Sequence, residues 1–117
     1  MKSGQIVLFN FPKIQQKQIK LRPALMIAKF PTMYNDWLIC MISSNLNQYT
    51  KNFDEIIDQS SHDFIQSGLK TDSVIRVSRL AVVEGNILKG AIGNISQHRL
   101  LTIKQNISSW LMNTTNE

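Results

Sequence analysis

The sequence predicts a mostly β domain with some helix: a small, curled antiparallel barrel closed by a carboxy-terminal α-helix. Three observations carry that expectation. The first segment alternates sides with period two and sets apolar residues on both faces. Further short β-rich runs are separated by Pro, Gly and Asn. From Ser96 onward the apolar period changes to that of a helix. The 117 residues suit one domain, 1–117, with a single region of core and no repeat or linker.

"QIVLFNF" places Ile6 and Leu8 on one face and Val7, Phe9 and Phe11 on the other, and Pro12 closes this first strand. "KIQQKQIK" follows as a polar, lysine-rich loop. Pro23 fixes its own φ and biases Arg22 towards an extended backbone, so "ALMIAKF" reads as a second strand that opens with a guanidinium at its mouth. "WLICMIS" is apolar enough to be buried on both faces. "SNLNQYTKN" reads as a long polar loop, "FDEII" as a short strand, and "SHDFIQSGL" as a helical turn stopped by Gly68. "DSVIRVSRL", "AVVEG" and "AIGNIS" read as short β runs. The last element starts at Ser96, an N-cap type, and carries one apolar stripe through Leu100, Ile103, Ile107, Trp110 and Leu111.

Composition narrows the function classes. Hydrophobic residues make up 43% and charged residues 18%, which belongs to a globular chain. No apolar run reaches the roughly 18 residues of a spanning helix. "MKSGQIVLFNF" lacks a cleavage site and reads as a strand rather than a signal peptide. The lone Cys40 cannot form an internal disulfide and reads as a buried thiol in a reducing cytoplasm. No phosphate-binding glycine loop is present. His62 and His98 stand apart in polar contexts without metal-ligand spacing, so no metal site or cofactor is expected.

The net charge is +5, and it is unevenly spread. No acid precedes Asp36, whereas Lys2, Lys13, Lys17, Lys20, Arg22 and Lys29 do; Asp54, Glu55, Asp58 and Asp63 cluster later. Such a field favours a polyanion such as nucleic acid, although a solvated basic surface has the same composition. Polar chemistry then gathers at strand ends. Arg22 opens the second strand, Ser43 and Ser44 close the third, and Arg76, Ser78 and Arg79 lie on "VIRVSR", with Arg76 and Ser78 on one face. Guanidinium groups bind phosphate oxygens bidentately and hydroxyls add neutral donors. On these residues alone, arginines facing water from an edge strand remain an equal alternative.

The order "SGQIVLFNF", "LRPALMI", "LICMISSN", "TDSVIRVSRLAVVE" and "AIGNISQHRLLTI" resembles the MazF/PemK (Kid) toxins of type II toxin–antitoxin systems, from Gly4 to about Leu111. The resemblance implies the SH3-like barrel shared with the gyrase poison CcdB, and a homodimer. It implies cleavage of single-stranded RNA without a metal, by attack of the 2′-hydroxyl on the adjacent phosphorus. It places Arg22 at the scissile phosphate with Ser43 as the partner hydroxyl; Gln18, Lys20, Ser44, Arg76, Ser78 and Arg79 are then the expected RNA-binding residues around them. It also implies a cognate antitoxin with an acidic, disordered segment, contact with operator DNA through that antitoxin, and no membrane.

The chain departs from the family pattern in four places. Gln5 replaces the first-strand acid, and "QQKQIK" keeps Gln18 but lacks the usual glycines and acid. Ser78 stands where the Kid branch has an Asp after its Arg, and a serine is no general base at neutral pH. "NLNQYTKN" is this chain's own. The competing expectation is therefore a catalytically weak homologue that binds RNA or, like CcdB, a protein target such as gyrase.

Overall fold

Alternation and proline placement fold the chain into one six-stranded antiparallel sheet. The computed structural model describes residues 1–12 and 19–114, without the side chains of 11, 12, 19 and 20. In chain order the elements are β1 (Gln5–Pro12), β2 (Ile19–Lys29), β3 (Asp36–Ser43), β4 (Glu55–Ile57), α1 (Phe64–Ser67), β5 (Ser73–Glu84), β6 (Leu88–Asn94) and α2 (Gln97–Met112). The sheet order is β4-β5-β3-β2-β1-β6. The fold class expected from sequence is the one observed, with one difference: the barrel is not closed by hydrogen bonds, because β4 and β6 remain its two edges.

Both faces of this sheet are core. Ile6, Leu25, Ile27, Cys40, Ile42, Ile75 and Val77 pack on one face beneath Leu100, Ile103 and Ile107 of α2. Val7, Phe9, Ala24, Met26, Trp37, Ile39 and Leu88 fill the inside of the curl on the other. The alternation in β1 therefore reads out as expected, and β3 is buried on both faces. Trp110 and Leu111 do not belong to the buried stripe: they are 49% and 57% exposed, with Trp110 meeting Phe53 edge-on at 6.0 Å. The sheet ends before the last turn of α2 does.

β5 corrects a second expectation. "DSVIRVSRL" and "AVVE" are one strand, interrupted by a bulge rather than a turn. Met41 pairs with Arg76 but the preceding Cys40 pairs with Leu80, so Val77, Ser78 and Arg79 leave the ladder. Extra residues on one strand bend it and re-aim their side chains, and the simple sharing of a face by Arg76 and Ser78 does not hold through that excursion.

The open side is covered by α1. Gly68 takes the left-handed conformation that ends α1, at φ 74°, and the backbone of β6 lies directly against it. A Cβ on Gly68 would overlap the Ile92 carbonyl, and one on Gly93 would overlap the Gln66 and Ser67 carbonyls. The chain thus leaves the β4 edge and lies on the β6 edge in backbone contact. Arg99 locks this arrangement from α2. Its Nε donates to Asp63 at 2.8 Å, and another guanidinium nitrogen reaches both Glu55 at 3.2 Å and the Ile56 carbonyl at 3.0 Å. Asp63 also accepts from the Ser96 N–H at 3.0 Å, while the Ser96 hydroxyl caps α2 by accepting from the Arg99 N–H.

Two outcomes follow from this packing. Gly93→Ala should lower unfolding free energy by about 2–3 kcal/mol, the range of strong steric lesions, measured by urea denaturation; a loss below about 0.5 kcal/mol would mean α1 does not pack on β6 this closely. The second concerns acid stability. Burial would raise the Asp63 pKa, but hydrogen bonds from Arg99 and Ser96 outweigh it and hold the carboxyl below its ordinary 3.8. A depressed carboxyl stabilises the fold above its unfolded pKa, and that contribution disappears as pH falls through the folded value. Glu55 runs the other way, since burial raises it above 4.5 against the pull of Arg99. Asp63→Asn should therefore lower Tm at neutral pH and flatten the loss of Tm below pH 3.8; parallel Tm–pH curves would remove Asp63 from the acid response.

Candidate functional site

A sheet buried on both faces leaves polar chemistry to the places where its strands run out. At one such end, on the face that carries Ala24 and Met26, the ladder pairs Ala24 with Met41 and Met41 with Arg76. Carried two residues past Ala24, the same register sets Arg22 opposite Ser43. Period-two alternation then aims Arg22, Ser43 and Arg76 to one side, with Arg76 level with Ala24 and Met41 and the other two just past them. They line an open cleft of about 420 Å³, with Ser44 and Arg79 at its wall.

Sequence reading and structure agree on most of this set. Arg22, Ser43 and Arg76 are half-buried, and Ser44 and Arg79 are exposed. The Nε of Arg76 is buried without a hydrogen-bond partner, so the protein has left a charged donor's demand unmet at this spot. Among the described residues the ion pairs are those of Arg99 with Asp63 and Glu55; no carboxylate neutralises Arg22, Arg76 or Arg79. Gln18 and the side chain of Lys20 lie outside the described residues, and nothing further is assigned to them.

Ser78 is brought elsewhere. Its N–H donates to Asp54 Oδ1 at 3.0 Å and its hydroxyl to Asp54 Oδ2 at 3.3 Å, and it does not line the cleft. Arg79, the next residue of the bulge, does line the cleft.

Other residues of the cleft escaped the sequence reading. The loop "SNLNQYTKN" contains a 3₁₀ turn, Leu46–Gln48, whose N-cap Asn45 accepts from the Asn47 N–H and whose own N–H donates to Ser43 Oγ at 3.1 Å. That turn brings Asn45 and Gln48 to the wall. The only sequence signal was an Asn ahead of a short polar run, which suits any turn. A second cleft of about 510 Å³ shares Arg22, Pro23, Ile42 and Ser44 with the first and continues past Leu69, Lys70 and Thr71. Arg22 thus stands where two concavities meet.

Cys40 lies behind this wall. Burial, assisted by the Asp54 carboxylate, pushes its thiol far above the ordinary range, so it is a core side chain and not a nucleophile. Among the described residues no three His, Cys, Asp or Glu side chains gather as a metal-ligand set. The cleft's working groups are guanidinium, hydroxyl and amide: donors suited to an oxyanion with several equivalent oxygens.

The family model of PemK-like, MazF-like toxins of type II toxin–antitoxin systems matches residues 2–111. The chain belongs to that family. Solved structures agree on the fold of this MazF-like toxin. The Mycobacterium tuberculosis toxin MazF-mt6 superposes with a TM-score of 0.68 at 13% identity, over 95% of this chain and 99% of that one. A MazE–MazF crystal structure from Deinococcus radiodurans gives 0.69 at 17% identity, over 97% of both chains. An endoribonuclease in complex with its cognate antitoxin, from a mycobacterial species, gives 0.66 at 12% identity, again over 97% of both. No curated protein sequence is similar enough to count as a match. No helix among the described residues is long and apolar enough to cross a membrane.

Proposed function

We propose that this toxin is a metal-independent, sequence-specific endoribonuclease of single-stranded RNA, with Arg22 and Ser43 as its catalytic residues. The observation that carries this reading is the placement of Arg22, Ser43 and Arg76 on one side of a strand-end cleft that no carboxylate neutralises. The 2′-hydroxyl attacks the adjacent phosphorus, the bond to the 5′ oxygen breaks, and the products are a 2′,3′-cyclic phosphate and a 5′-hydroxyl. Negative charge grows on the non-bridging oxygens and the leaving oxygen during this step. The Arg22 guanidinium stabilises that charge, and Ser43 holds a phosphate oxygen or orients the attacking hydroxyl. Arg76, Arg79 and Ser44, with Lys20 of β2 and Gln18 just before it, track the flanking phosphates.

Two partners complete the proposal. An antitoxin with an acidic, disordered segment would occupy the same arginines and block RNA by competition, contacting operator DNA in its own right. A second copy of this chain is the other. Trp110, Leu111 and Met112 are exposed, and an apolar groove of about 440 Å³ runs beside them along α2; surfaces of this kind on a small domain support a homodimer. The protein would act in the cytoplasm.

A binder that no longer cuts is the second reading, favoured by Ser78, which offers no carboxylate and commits its hydroxyl to Asp54. Incubation with single-stranded RNA in excess EDTA separates the two, since binding without a cyclic-phosphate product would support the binder and remove the nuclease. Given cleavage, Arg22→Ala should reduce the rate by at least the 10²–10³-fold, to order of magnitude, that follows loss of one preorganised donor. Arg22→Lys should restore little, because an ammonium lacks the bidentate fork. Ser43→Ala should cost less and Ser43→Thr almost nothing. A folded Arg22→Ala protein that cuts at the wild-type rate would take Arg22 out of the mechanism. Sedimentation at micromolar concentration should give twice the chain mass, and a monomer mass would rule out the homodimer.

A further inference from the structure

We infer that Asp54 is a positioning residue for the cleft: from behind β5 its carboxylate fixes the excursion Val77–Arg79 in the shape that presents Arg79, beside Arg76, to an RNA phosphate. The inference rests on the RNA reading of the cleft and goes beyond it, because Asp54 lies outside the cleft.

Asp54 is only 2% exposed. Keeping a charge there is costly unless every acceptor site is used, and no ion pair among the described residues reaches it. Its partners are neutral donors instead. The Thr50 N–H donates to Oδ2 at 2.9 Å, and Ser78 donates twice, through its N–H at 3.0 Å and its hydroxyl at 3.3 Å. One end of this clamp is local. The other reaches 24 residues along the chain, to the middle of the three residues that leave the β3–β5 ladder.

That reach is informative because a bulge lacks its own restraints. Residues outside the ladder have no cross-strand partner, and the N–H of Ser78 would be orphaned without Asp54. Bound at Ser78, the excursion is held between Arg76, whose Nε lies buried and unpartnered, and Arg79, which projects at the wall of the cleft. The carboxylate itself lies on the core side, where its charge is felt by the Cys40 thiol. It therefore touches Ser78, between the two arginines, and not the cleft that would hold the anion.

An asparagine has the same shape but only one acceptor oxygen, so it can serve either Thr50 or Ser78 while its NH₂ faces the other N–H. Asp54→Asn should release the excursion and leave the rest of the fold in place. The probe is a fully 2′-O-methylated single-stranded RNA, which binds but cannot be cleaved by 2′-hydroxyl attack. Its affinity is measured against salt by fluorescence anisotropy for wild type, Asp54→Asn, Arg79→Ala and the double variant. The expected result is a weaker Asp54→Asn complex whose log–log salt slope is shallower by about 0.7, one single-strand phosphate contact. Arg79→Ala should show the same change, and the double variant should lose nothing further.

A purely structural Asp54 would lower Tm and leave the slope untouched. Wild-type slope in folded Asp54→Asn, or additive losses in the double variant, overturns the positioning role alone. Wild-type protein that does not bind the probe overturns the RNA reading, and this inference with it. If Asp54→Asn does not fold, Ser78→Ala keeps the buried carboxylate and both N–H bonds and loses only the hydroxyl link. It should then weaken binding in the same direction by a smaller factor, and wild-type affinity in that variant overturns the inference.

Discussion

Burial of both faces of one sheet is the constraint from which the rest of this molecule follows. A sheet with a solvated face can place polar side chains anywhere along it. Here one face lies under α2 and the other fills the inside of the curl, so a charged side chain within β2, β3 or β5 would be desolvated at a cost of several kcal/mol. Charge is therefore placed at the margin of the apolar layers: Arg76 stands level with Ala24 and Met41, and Arg22 and Ser43 lie just past them. Pro23 marks that limit on β2, with Ala24, Leu25, Met26 and Ile27 fully buried after it and Arg22 half-buried before it. The cleft is thus what remains when the strands outrun their core. Arg22, Ser43 and Arg76 each stand next or next-but-one to a packed residue of their own strand and are held by it, with Ala24, Ile42 and Ile75 buried beside them.

A small sheet of this kind must also deal with its edges. β4 has three residues and cannot extend to meet β6. The chain instead sends α1 across, and the two glycines let backbone lie on backbone where side chains would hold the elements apart. Arg99 then ties the start of α2 to β4 and α1 together, with its head group fully engaged by carboxylates and a carbonyl. This is the arrangement that makes a buried ion pair tolerable. It also stabilises the wall of the second cleft, since Leu69, Lys70 and Thr71 follow Gly68 directly.

Most of this architecture was legible because it follows from local periodicity. Period two in "QIVLFNF" and the apolar run of "WLICMIS" gave the strands and their two buried faces, and the shift of period at Ser96 gave α2 to within a residue at each end. Ser43 was legible because a Ser–Ser pair marks the end of β3, whereas Pro23 does not open β2 as expected: the strand starts at Ile19, and Arg22 and Pro23 pair with Phe9 and Leu8 inside it. What stayed hidden depends on contacts between distant positions. In "VIRVSRL" the adjacent polar pair Ser78–Arg79 breaks the period where the residues leave the ladder, but one such break in a short run does not by itself tell a bulge from a strand end. Asp54 reads as one acid among neighbours, and its partner lies 24 residues away. Asn45 and Gln48 reach the cleft only through a short turn that polar sequence leaves unspecified.

The acids explain why a modest net charge can still make a strongly basic cleft. Five of the eight lie between Asp54 and Asp72, in a segment that has one three-residue strand and one four-residue helix. Such a segment leaves many backbone N–H groups without ladder partners, and the carboxylates answer them. Asp54 takes Thr50 and Ser78, Asp63 takes Ser96, Asp58 takes Ser60 at 2.9 Å and Asp72 takes Gln59 at 3.2 Å. Glu55 and Asp63 share Arg99. Each of these acids is thereby committed to holding its own segment and is turned from the cleft. The arginines at the strand ends meet no such counter-charge, so their field at the cleft exceeds what +5 spread evenly over the surface would produce. A polyanion approaching this molecule is drawn to the arginines by the arrangement of the acids as much as by the arginines themselves.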